Sequence, residues 1–285
     1  MYPFSVGILL DSFRCGAQQA LKMAAEAGAA GIQIYATSGE FAPENMSGEK
    51  RREFLLRVKD AGLTVSALCG DLGMGFGNEK ANPGIIERSK RIMELARELE
   101  TKVVTTHIGV VPGDSSHPRY RIMQDACGAL AAAAHSMDAY FAVETGPEPS
   151  AVLKGFLDGL GCRGIAVNFD PANLVMVCGE KPAEAVNNLK DYIVHTHAKD
   201  GRQLFFKEPE KIYGLKPDDQ APSFVETPLG EGDVNFPEYL RALYDAGYKG
   251  FLTIERETGE KPAEDIRAAA DFLHRLILSG PADKM

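Results

Sequence analysis

The sequence lacks several features by which whole classes of protein are recognised. It has no excess of basic residues: 31 lysines and arginines stand against 40 aspartates and glutamates, giving a formal net charge of −9 at pH 7. Nucleic acids and anionic membrane surfaces favour a basic face, so neither is an expected partner. No stretch approaches the ~18 consecutive apolar residues that a membrane-spanning helix needs, which excludes a transmembrane protein of that kind.

Cysteine is also scarce and scattered. The five cysteines are an odd number, and no two lie close enough in sequence to form a zinc or redox motif. The amino terminus, Met1–Phe4, lacks the basic start and the long apolar core of a signal peptide. We therefore expect a cytoplasmic protein with reduced cysteines.

What the sequence does contain is a regular alternation of short apolar strands and helices, with a period of roughly thirty residues typical of β/α units. Such alternation predicts parallel strands joined by right-handed helical crossovers. Eight units in 285 residues favour a closed (β/α)8 TIM barrel, a single domain over residues 1–285, and not an open doubly wound sheet. The eight predicted strands cover residues 4–10, 31–35, 63–68, 102–107, 140–144, 165–170, 192–197 and 251–255.

Two segments stand out from this pattern. A nucleotide-binding sheet would carry G-x-G-x-x-G after its first strand, and that motif is absent. The glycine-rich stretch Gly70–Gly77 follows the third strand with a different spacing, and we interpret it as a flexible loop over the barrel mouth, with phosphate contact as the alternative. An insertion at about 201–229 separates strands seven and eight. Long insertions after barrel strands commonly shape the site, although a dimer contact or plain decoration is also compatible with it.

The residues that end strands five to eight are chemically unusual as a group. They are Glu144, Asp170, His197 and Glu255. In a barrel these ends converge on the face that carries the chemistry. Three carboxylates in a small volume stay ionised only if a cation compensates them, and oxygen ligands with one nitrogen suit Mn, Mg, Co or Zn. The sequence therefore predicts a site for one divalent metal ion.

His195 is two positions from His197 in the same strand, so both side chains share a face. Because His195 lies one layer deeper in the barrel, we interpret it as a supporting or core residue.

The setting of these residues resembles the xylose-isomerase-like sugar isomerase/epimerase superfamily. The motifs that carry the resemblance are Val143–Gly146, Asn168–Leu174, His195–Asp200, Leu229–Asp233 and Thr253–Glu257. The resemblance implies a (β/α)8 barrel in which Glu144, Asp170, His197 and Glu255 hold one divalent ion, and in which the two glutamates form the acid/base pair. The chain departs from many relatives at Asn173, where they carry a histidine. Asparagine can hydrogen-bond a substrate hydroxyl but cannot shuttle a proton.

The expected activity is sugar isomerisation or epimerisation by proton abstraction next to a carbonyl, through a metal-stabilised enediolate. Glu144 and Glu255 are the predicted acid/base pair. Candidate substrate-binding residues are His107, Asn173, Lys199 and Arg202.

Three other functions are compatible with parts of this pattern. A keto-sugar or keto-cyclitol dehydratase would begin with the same deprotonation, and a non-catalytic subunit would lack the bound metal. A metal-dependent DNA-repair endonuclease would need a basic surface, which the charge of −9 argues against. The expected partners are a small-molecule sugar and further copies of the chain in a homo-oligomer.

Overall fold

The chain forms a closed barrel of eight parallel strands in a computed structural model that describes residues 1–218 and 221–280. The strands follow one another around the barrel in chain order, and the last pairs with the first. This confirms the predicted (β/α)8 TIM barrel; positions 219–220 and 281–285 of the predicted domain lie outside the described residues. The barrel strands are β1 (Ser5–Leu9), β2 (Gly31–Tyr35), β3 (Thr64–Cys69), β4 (Val103–Thr106), β5 (Tyr140–Glu144), β6 (Ile165–Phe169), β7 (Ile193–Ala198) and, after the hairpin of β8 (Asp200–Gln203) and β9 (Phe224–Thr227), β10 (Phe251–Ile254).

Helices connect the strands and cover the outside of the barrel. Side chains cap the start of four helices in the described part of the chain. In two of these caps, Ser47 Oγ accepts a hydrogen bond from Lys50 N at 3.4 Å, and Asn235 Oδ1 accepts one from Glu238 N at 3.3 Å. These bonds satisfy N–H groups that the first helical turn leaves without partners. In the described part of the chain, no helix has the length and apolarity to cross a membrane. The helices are α1 (Ala17–Glu26), α2 (Gly48–Asp60), α3 (Asn82–Glu98), α4 (Pro118–Ser136), α5 (Ser150–Asp158), α6 (Pro171–Asn173), α7 (Pro182–Leu189), α8 (Pro209–Ile212), α9 (Phe236–Asp245) and α10 (Pro262–Ser279).

Burial of the strands on both faces explains their continuous apolar sequences. All five residues of β6 are buried, and Phe141, Phe156 and Phe169 are among the largest fully buried side chains. Burying such a side chain contributes roughly 1.5–3 kcal/mol. The register of the strands also aligns their carboxyl ends, because Glu144 lies opposite Asn168 and Thr253 lies opposite His197. Side chains that end neighbouring strands are thereby brought together.

The predicted insertion contains more structure than the sequence indicated. It forms the antiparallel hairpin β8–β9 and the short helix α8, whose Glu210 Oε1 lies 3.8 Å from Arg119 Nη2. Asp200 begins β8 two residues after the end of β7, just before the predicted start of the insertion. Its carboxylate accepts hydrogen bonds from the backbone N–H groups of Gly201, Gly230, Gly232 and Val234. These contacts fix the hairpin against residues 230–234.

The glycine-rich loop Gly70–Gly77 packs against the loop that follows β4. Phe76 is buried, and its N–H donates to the carbonyl oxygen of Ile108 at 2.9 Å. Gly75 has φ 56°, and a Cβ there would lie 2.9 Å from the same carbonyl oxygen, so only glycine fits this close approach. The loop therefore lies at the mouth of the barrel, as its position after β3 predicts.

Candidate metal centre

Four neighbouring barrel strands carry the predicted metal ligands. Glu144 is the last residue of β5, Asp170 follows β6, His197 lies in β7, and Glu255 follows β10. These strands are adjacent in the barrel in the order β5, β6, β7, β10. All four side chains are buried, with at most 6% of each residue exposed.

The structure brings the four side chains together as a compact cluster. One ligand atom from each residue lies within 4.8 Å of the corresponding atoms of the other three. His197 Nδ1 is at the centre: it is 3.6 Å from Glu144 Oε1, 3.6 Å from Asp170 Oδ2 and 3.3 Å from Glu255 Oε2. The set offers three carboxylates and one imidazole nitrogen, which is suitable for a divalent ion.

Two atoms of this cluster indicate that the residues fit such an ion. Among the described residues, His197 Nδ1 and Asp170 Oδ2 are buried and have no hydrogen-bond partner. A buried polar atom without a partner costs roughly 1–3 kcal/mol, and buried polar groups are normally satisfied. Both atoms face the shared centre of the cluster, where a cation would satisfy them together.

The electrostatics of the cluster show how strongly the charges interact. Burial alone would raise the pKa of Glu144, but His107 and His197 hold it well below its usual range. Burial likewise opposes ionisation of Glu255, yet Lys199 and His197 lower its pKa to about 2. Burial disfavours the charged form of His197, whereas Glu255 and Glu144 raise its pKa well above the usual value. Positive groups of the protein therefore keep the carboxylates ionised, and a metal cation at the centre would have the same effect.

Carboxamide side chains orient the ring of His197. Its Nε2 lies 3.2 Å from Gln33 Oε1, and Gln33 Nε2 donates to Thr105 Oγ1 at 3.0 Å. The amide assignment makes Gln33 Oε1 an acceptor for a proton on Nε2, which would leave the Nδ1 lone pair for a metal ion. Asn168 Nδ2 also lies 3.2 Å from Nε2, and it donates to Glu144 Oε2 at 3.1 Å.

His195 supports the cluster from a deeper layer, as its place in the strand predicts. Its ring is 5.9 Å from that of His197, centroid to centroid. Its Nδ1 lies 2.9 Å from Asn168 Oδ1, and its Nε2 lies 3.0 Å from Thr253 Oγ1. Burial and the nearby charge of His197 lower the pKa of His195 to about 3, so it is neutral. His195 therefore fixes the side chain of Asn168 by a hydrogen bond, and Asn168 in turn fixes the carboxylate of Glu144.

Two of the predicted substrate-binding residues lie against Glu144. His107 Nε2 is 3.4 Å from Glu144 Oε1, and Asn173 Nδ2 donates to the same oxygen at 3.1 Å. Asn173 is also the last residue of α6, and its N–H donates to Oδ1 of Asp170, which caps the start of that helix, at 2.9 Å. Gly146 allows this packing: its φ is 135°, and a Cβ there would lie 2.3 Å from the Cβ of Asn173.

The two predicted cationic residues have different surroundings. Lys199 is buried, and its Nζ donates to Glu255 Oε2 at 3.0 Å and to Glu257 Oε2. Arg202 instead donates to the carbonyl oxygen of Glu231, and its Nε is 3.7 Å from Asp233 Oδ1. Lys199 therefore belongs to the cluster, whereas Arg202 is held against the loop before α9.

Several residues of the site were not singled out from the sequence. They are Gln33, Asn168 and Glu148, the last of which is buried in the loop after β5 and accepts a hydrogen bond from Val111 N at 2.9 Å. Gln33 carries a weak signal, because it is a polar residue in the middle of the apolar strand Gly31–Tyr35. Asn168 carries a similar one in β6.

The barrel and its buried cluster define a TIM-barrel protein with a candidate metal centre at the carboxyl ends of its strands. The chain belongs to the xylose isomerase-like TIM barrel family, whose model matches residues 21–276.

Sequence relatives support this placement. The chain is 25% identical over 225 residues to the uncharacterized protein MJ1311 of Methanocaldococcus jannaschii, a match that covers 73% of this chain and 70% of that protein. It is 28% identical over 118 residues to an inosose dehydratase of Lacticaseibacillus casei, covering 40% of this chain and 37% of the dehydratase.

Solved structures share the fold over almost the whole chain. A xylose isomerase domain protein from Planctomyces limnophilus superposes with a TM-score of 0.78 at 24% identity, over 96% of each chain. The probable 3-DHS dehydratase AsbF from Bacillus anthracis gives 0.75 at 19% identity, over 95% of this chain and 99% of that one. A D-psicose 3-epimerase gives 0.72 at 16% identity, over 97% and 100%. Epimerases and dehydratases are thus both built on this fold.

Proposed function

We propose that the protein is a divalent-metal-dependent sugar isomerase or epimerase that acts by proton abstraction next to a carbonyl. The observation that carries this proposal is the buried cluster, in which His197 Nδ1 and Asp170 Oδ2 have no hydrogen-bond partner among the described residues. A divalent ion held by Glu144, Asp170, His197 and Glu255 would act as a Lewis acid that stabilises negative charge on the substrate oxygens.

Glu144 and Glu255 are the proposed acid/base pair. They occupy β5 and the end of β10, the two outer strands of the four that carry the cluster, so they flank the centre on either side. The pKa of each is held below its usual range, which keeps both carboxylates ionised and able to accept a proton. For isomerisation, the glutamate that takes the proton returns it to the neighbouring carbon. For epimerisation, the opposite glutamate must first take up a proton from water; it then delivers that proton to the other face, and the first glutamate releases the proton it removed to solvent.

The groups around Glu144 are proposed to bind substrate hydroxyls. His107 and Asn173 each place a nitrogen within 3.4 Å of Oε1 of Glu144, the proposed base. Lys199 is proposed to hold Glu255 through its 3.0 Å hydrogen bond and to lower the basicity of that carboxylate. Arg202 makes its contacts to Glu231 and Asp233 on the adjacent loop, so we leave it out of the proposed substrate contacts.

A keto-sugar or keto-cyclitol dehydratase is the second candidate. It is favoured by the 28% identity to an inosose dehydratase over 118 residues. Its first step is the same deprotonation, after which a hydroxide must leave with a proton. His107, whose Nε2 lies 3.4 Å from Glu144 Oε1, supplies a donor beside the base for that purpose.

Proton NMR of the magnesium-loaded protein in heavy water tests the proposal. The panel contains ketohexoses, aldohexoses and 2-keto-myo-inositol. If the signal of the proton next to the carbonyl disappears and a new sugar appears, the protein is an isomerase or epimerase. If that proton exchanges with deuterium and the product has lost water, the protein is the dehydratase. If no compound in the panel exchanges a proton or gives a product while magnesium is bound, both candidate functions are refuted.

Two variants assign the acid/base pair in the same assay. Glu144→Gln and Glu255→Gln should each lower turnover by at least about 10²-fold, the smaller contribution typical of a general acid or base. Glu260→Gln, an exposed glutamate five residues beyond Glu255, is the control and should retain the wild-type rate. Wild-type turnover in either active-site variant would remove that residue from the pair.

A further inference from the structure

Resting on this proposed function, we infer that the substrate is an uncharged polyhydroxy ketone or aldehyde, and that sugar phosphates and sugar acids are rejected. The inference follows from the charged groups around the cluster. The positive charges there do not exceed the negative ones, and the neighbouring lysine and arginines are already bound by partners of the protein itself.

The balance of charge leaves no positive excess even with an ion in place, because protonated His107 beside Glu144 is offset by Glu257. The carboxylates of Glu144, Asp170 and Glu255 exceed the charge of a divalent ion by one, and buried Lys199 cancels that excess. Glu257 then adds a further negative charge beside Lys199, with 57% of its side chain exposed.

Asp71 makes the mouth more negative. It lies two residues beyond β3, in the loop at the barrel mouth, and its Oδ1 accepts a hydrogen bond from Gly73 N at 2.9 Å. A phosphate or carboxylate entering this mouth meets like charge, which disfavours its binding.

The arginines that follow the barrel strands are engaged by the protein. Arg14, after β1, donates to the carbonyl oxygens of Glu257, Thr258 and Gly259 at 2.6–2.9 Å. Arg256, after β10, donates to Glu226 Oε1 at 2.6 Å and to Asp265 Oδ2 at 2.9 Å.

Two further arginines flank the same mouth. Arg119, at the start of α4, donates to the carbonyl oxygen of Val110 at 2.9 Å, and Arg202 is held by Glu231 and Asp233. Anion recognition by arginine uses the guanidinium fork, and these forks are turned to protein acceptors.

The polar groups that do lack partners are suited to hydroxyls. Among the described residues, His107 Nδ1 and Glu148 Oε1 are buried and have no hydrogen-bond partner. They lie in the loops after β4 and β5, which the 2.9 Å hydrogen bond from Val111 N to Glu148 Oε2 ties together. Burial raises the pKa of Glu148 to about 8, so its carboxyl is undissociated at neutral pH and can donate to a hydroxyl.

Equilibrium binding of unreactive analogues tests the inference apart from catalysis. Isothermal titration calorimetry of the magnesium-loaded protein compares glucitol with glucitol 6-phosphate and gluconate. We expect glucitol to bind at least about tenfold more tightly than either anion, since like-charge contacts discriminate strongly between ligands. Tighter binding of the phosphate or the acid would overturn the inference.

Turnover of matched substrates separates this inference from the proposed function. The rate at which the proton next to the carbonyl exchanges with deuterium in heavy water is compared for fructose, 2-keto-myo-inositol, fructose 6-phosphate and fructuronate. Exchange confined to the uncharged compounds supports both conclusions. Preferred exchange of an anionic compound would support the function and overturn the inference, and exchange of none would refute the function and the inference with it.

A charge variant then tests the cause of the selectivity. In Glu257→Gln, kcat/KM for fructose divided by kcat/KM for fructose 6-phosphate should be about fivefold lower than in the wild type. This change corresponds to the ~1 kcal/mol of one charge pair in water. Glu260→Gln, in the same exposed loop, should leave the ratio unchanged. An unchanged ratio in both variants would overturn the electrostatic explanation.

Discussion

Replacing Glu148 by glutamine should remove a large part of the pH dependence of stability. Glu148 is 3% exposed, and burial raises its pKa from 4.5 to about 8. The folded protein therefore binds a proton at this carboxyl that the unfolded chain releases between those two pH values. The stability contributed by this group is fully present below pH 4.5 and is lost as the pH rises through about 8.

The size of the effect follows from the two pKa values. At about 1.36 kcal/mol per pH unit, the span from 4.5 to about 8 corresponds to on the order of 5 kcal/mol, an upper value for one buried carboxyl. Glutamine resembles the undissociated carboxyl and can still accept the hydrogen bond from Val111 N. The wild-type free energy of unfolding should thus fall by several kcal/mol more than that of Glu148→Gln between pH 5 and pH 9.

Urea unfolding of the metal-free proteins at several pH values measures this difference. Chelator is present throughout, so that the ligand cluster titrates alike in both proteins. Glu260→Gln, which alters an exposed glutamate, should follow the wild type at every pH. Parallel curves for the wild type and Glu148→Gln would refute the reasoning, because they would show that Glu148 holds the same proton in the folded and unfolded chains.

Two further predictions concern the metal cluster and the packing beside it. His197→Ala should weaken magnesium or manganese binding by at least about tenfold in calorimetric titration, since even residues that only orient ligands change metal affinity by roughly 10–100-fold; unchanged affinity would remove His197 from the ligand set. Gly146→Ala should cost about 2–4 kcal/mol in urea unfolding, because its φ of 135° and the close approach of its neighbour leave no room for a methyl group. Gly113→Ala, where a Cβ meets nothing within 4 Å, should change stability by less than about 0.5 kcal/mol. Equal losses in the two glycine variants would contradict this account.

The barrel and the position of its cluster were predictable because both depend on local patterns. Apolar strands and helices repeat along the chain, and parallel strands place their final residues on one face of a barrel. The two-residue alternation in β7 likewise predicted that His195 lies below His197 on the same face. Binding of a particular ion, the cytoplasmic location, the homo-oligomer and the roles of individual site residues stay predictions.

What sequence could not provide are contacts between distant positions. Gln33 lies 164 residues before His197, and no local pattern connects the two. The hairpin β8–β9 was missed because Asp200–Gln203 has no apolar alternation, and its position depends on backbone N–H groups some thirty residues later. Helix α9 also went unpredicted, although Asn235 and the proline that follows Phe236 provide ordinary signals for a helix start.

The side chains that surround the ligands share one chemical property that explains their identity. Gln33, Asn168 and Asn173 hold His197 and Glu144 through carboxamides, which donate and accept hydrogen bonds without carrying charge. A carboxylate at any of the three positions would add negative charge to a cluster that already holds three acids, and its burial would be costly. The amides therefore orient the ligands while leaving the charge of the cluster to be balanced by a divalent ion and one lysine. The same balance of charge underlies our inference that the substrate presents hydroxyl groups, and not anions, to the mouth of the barrel.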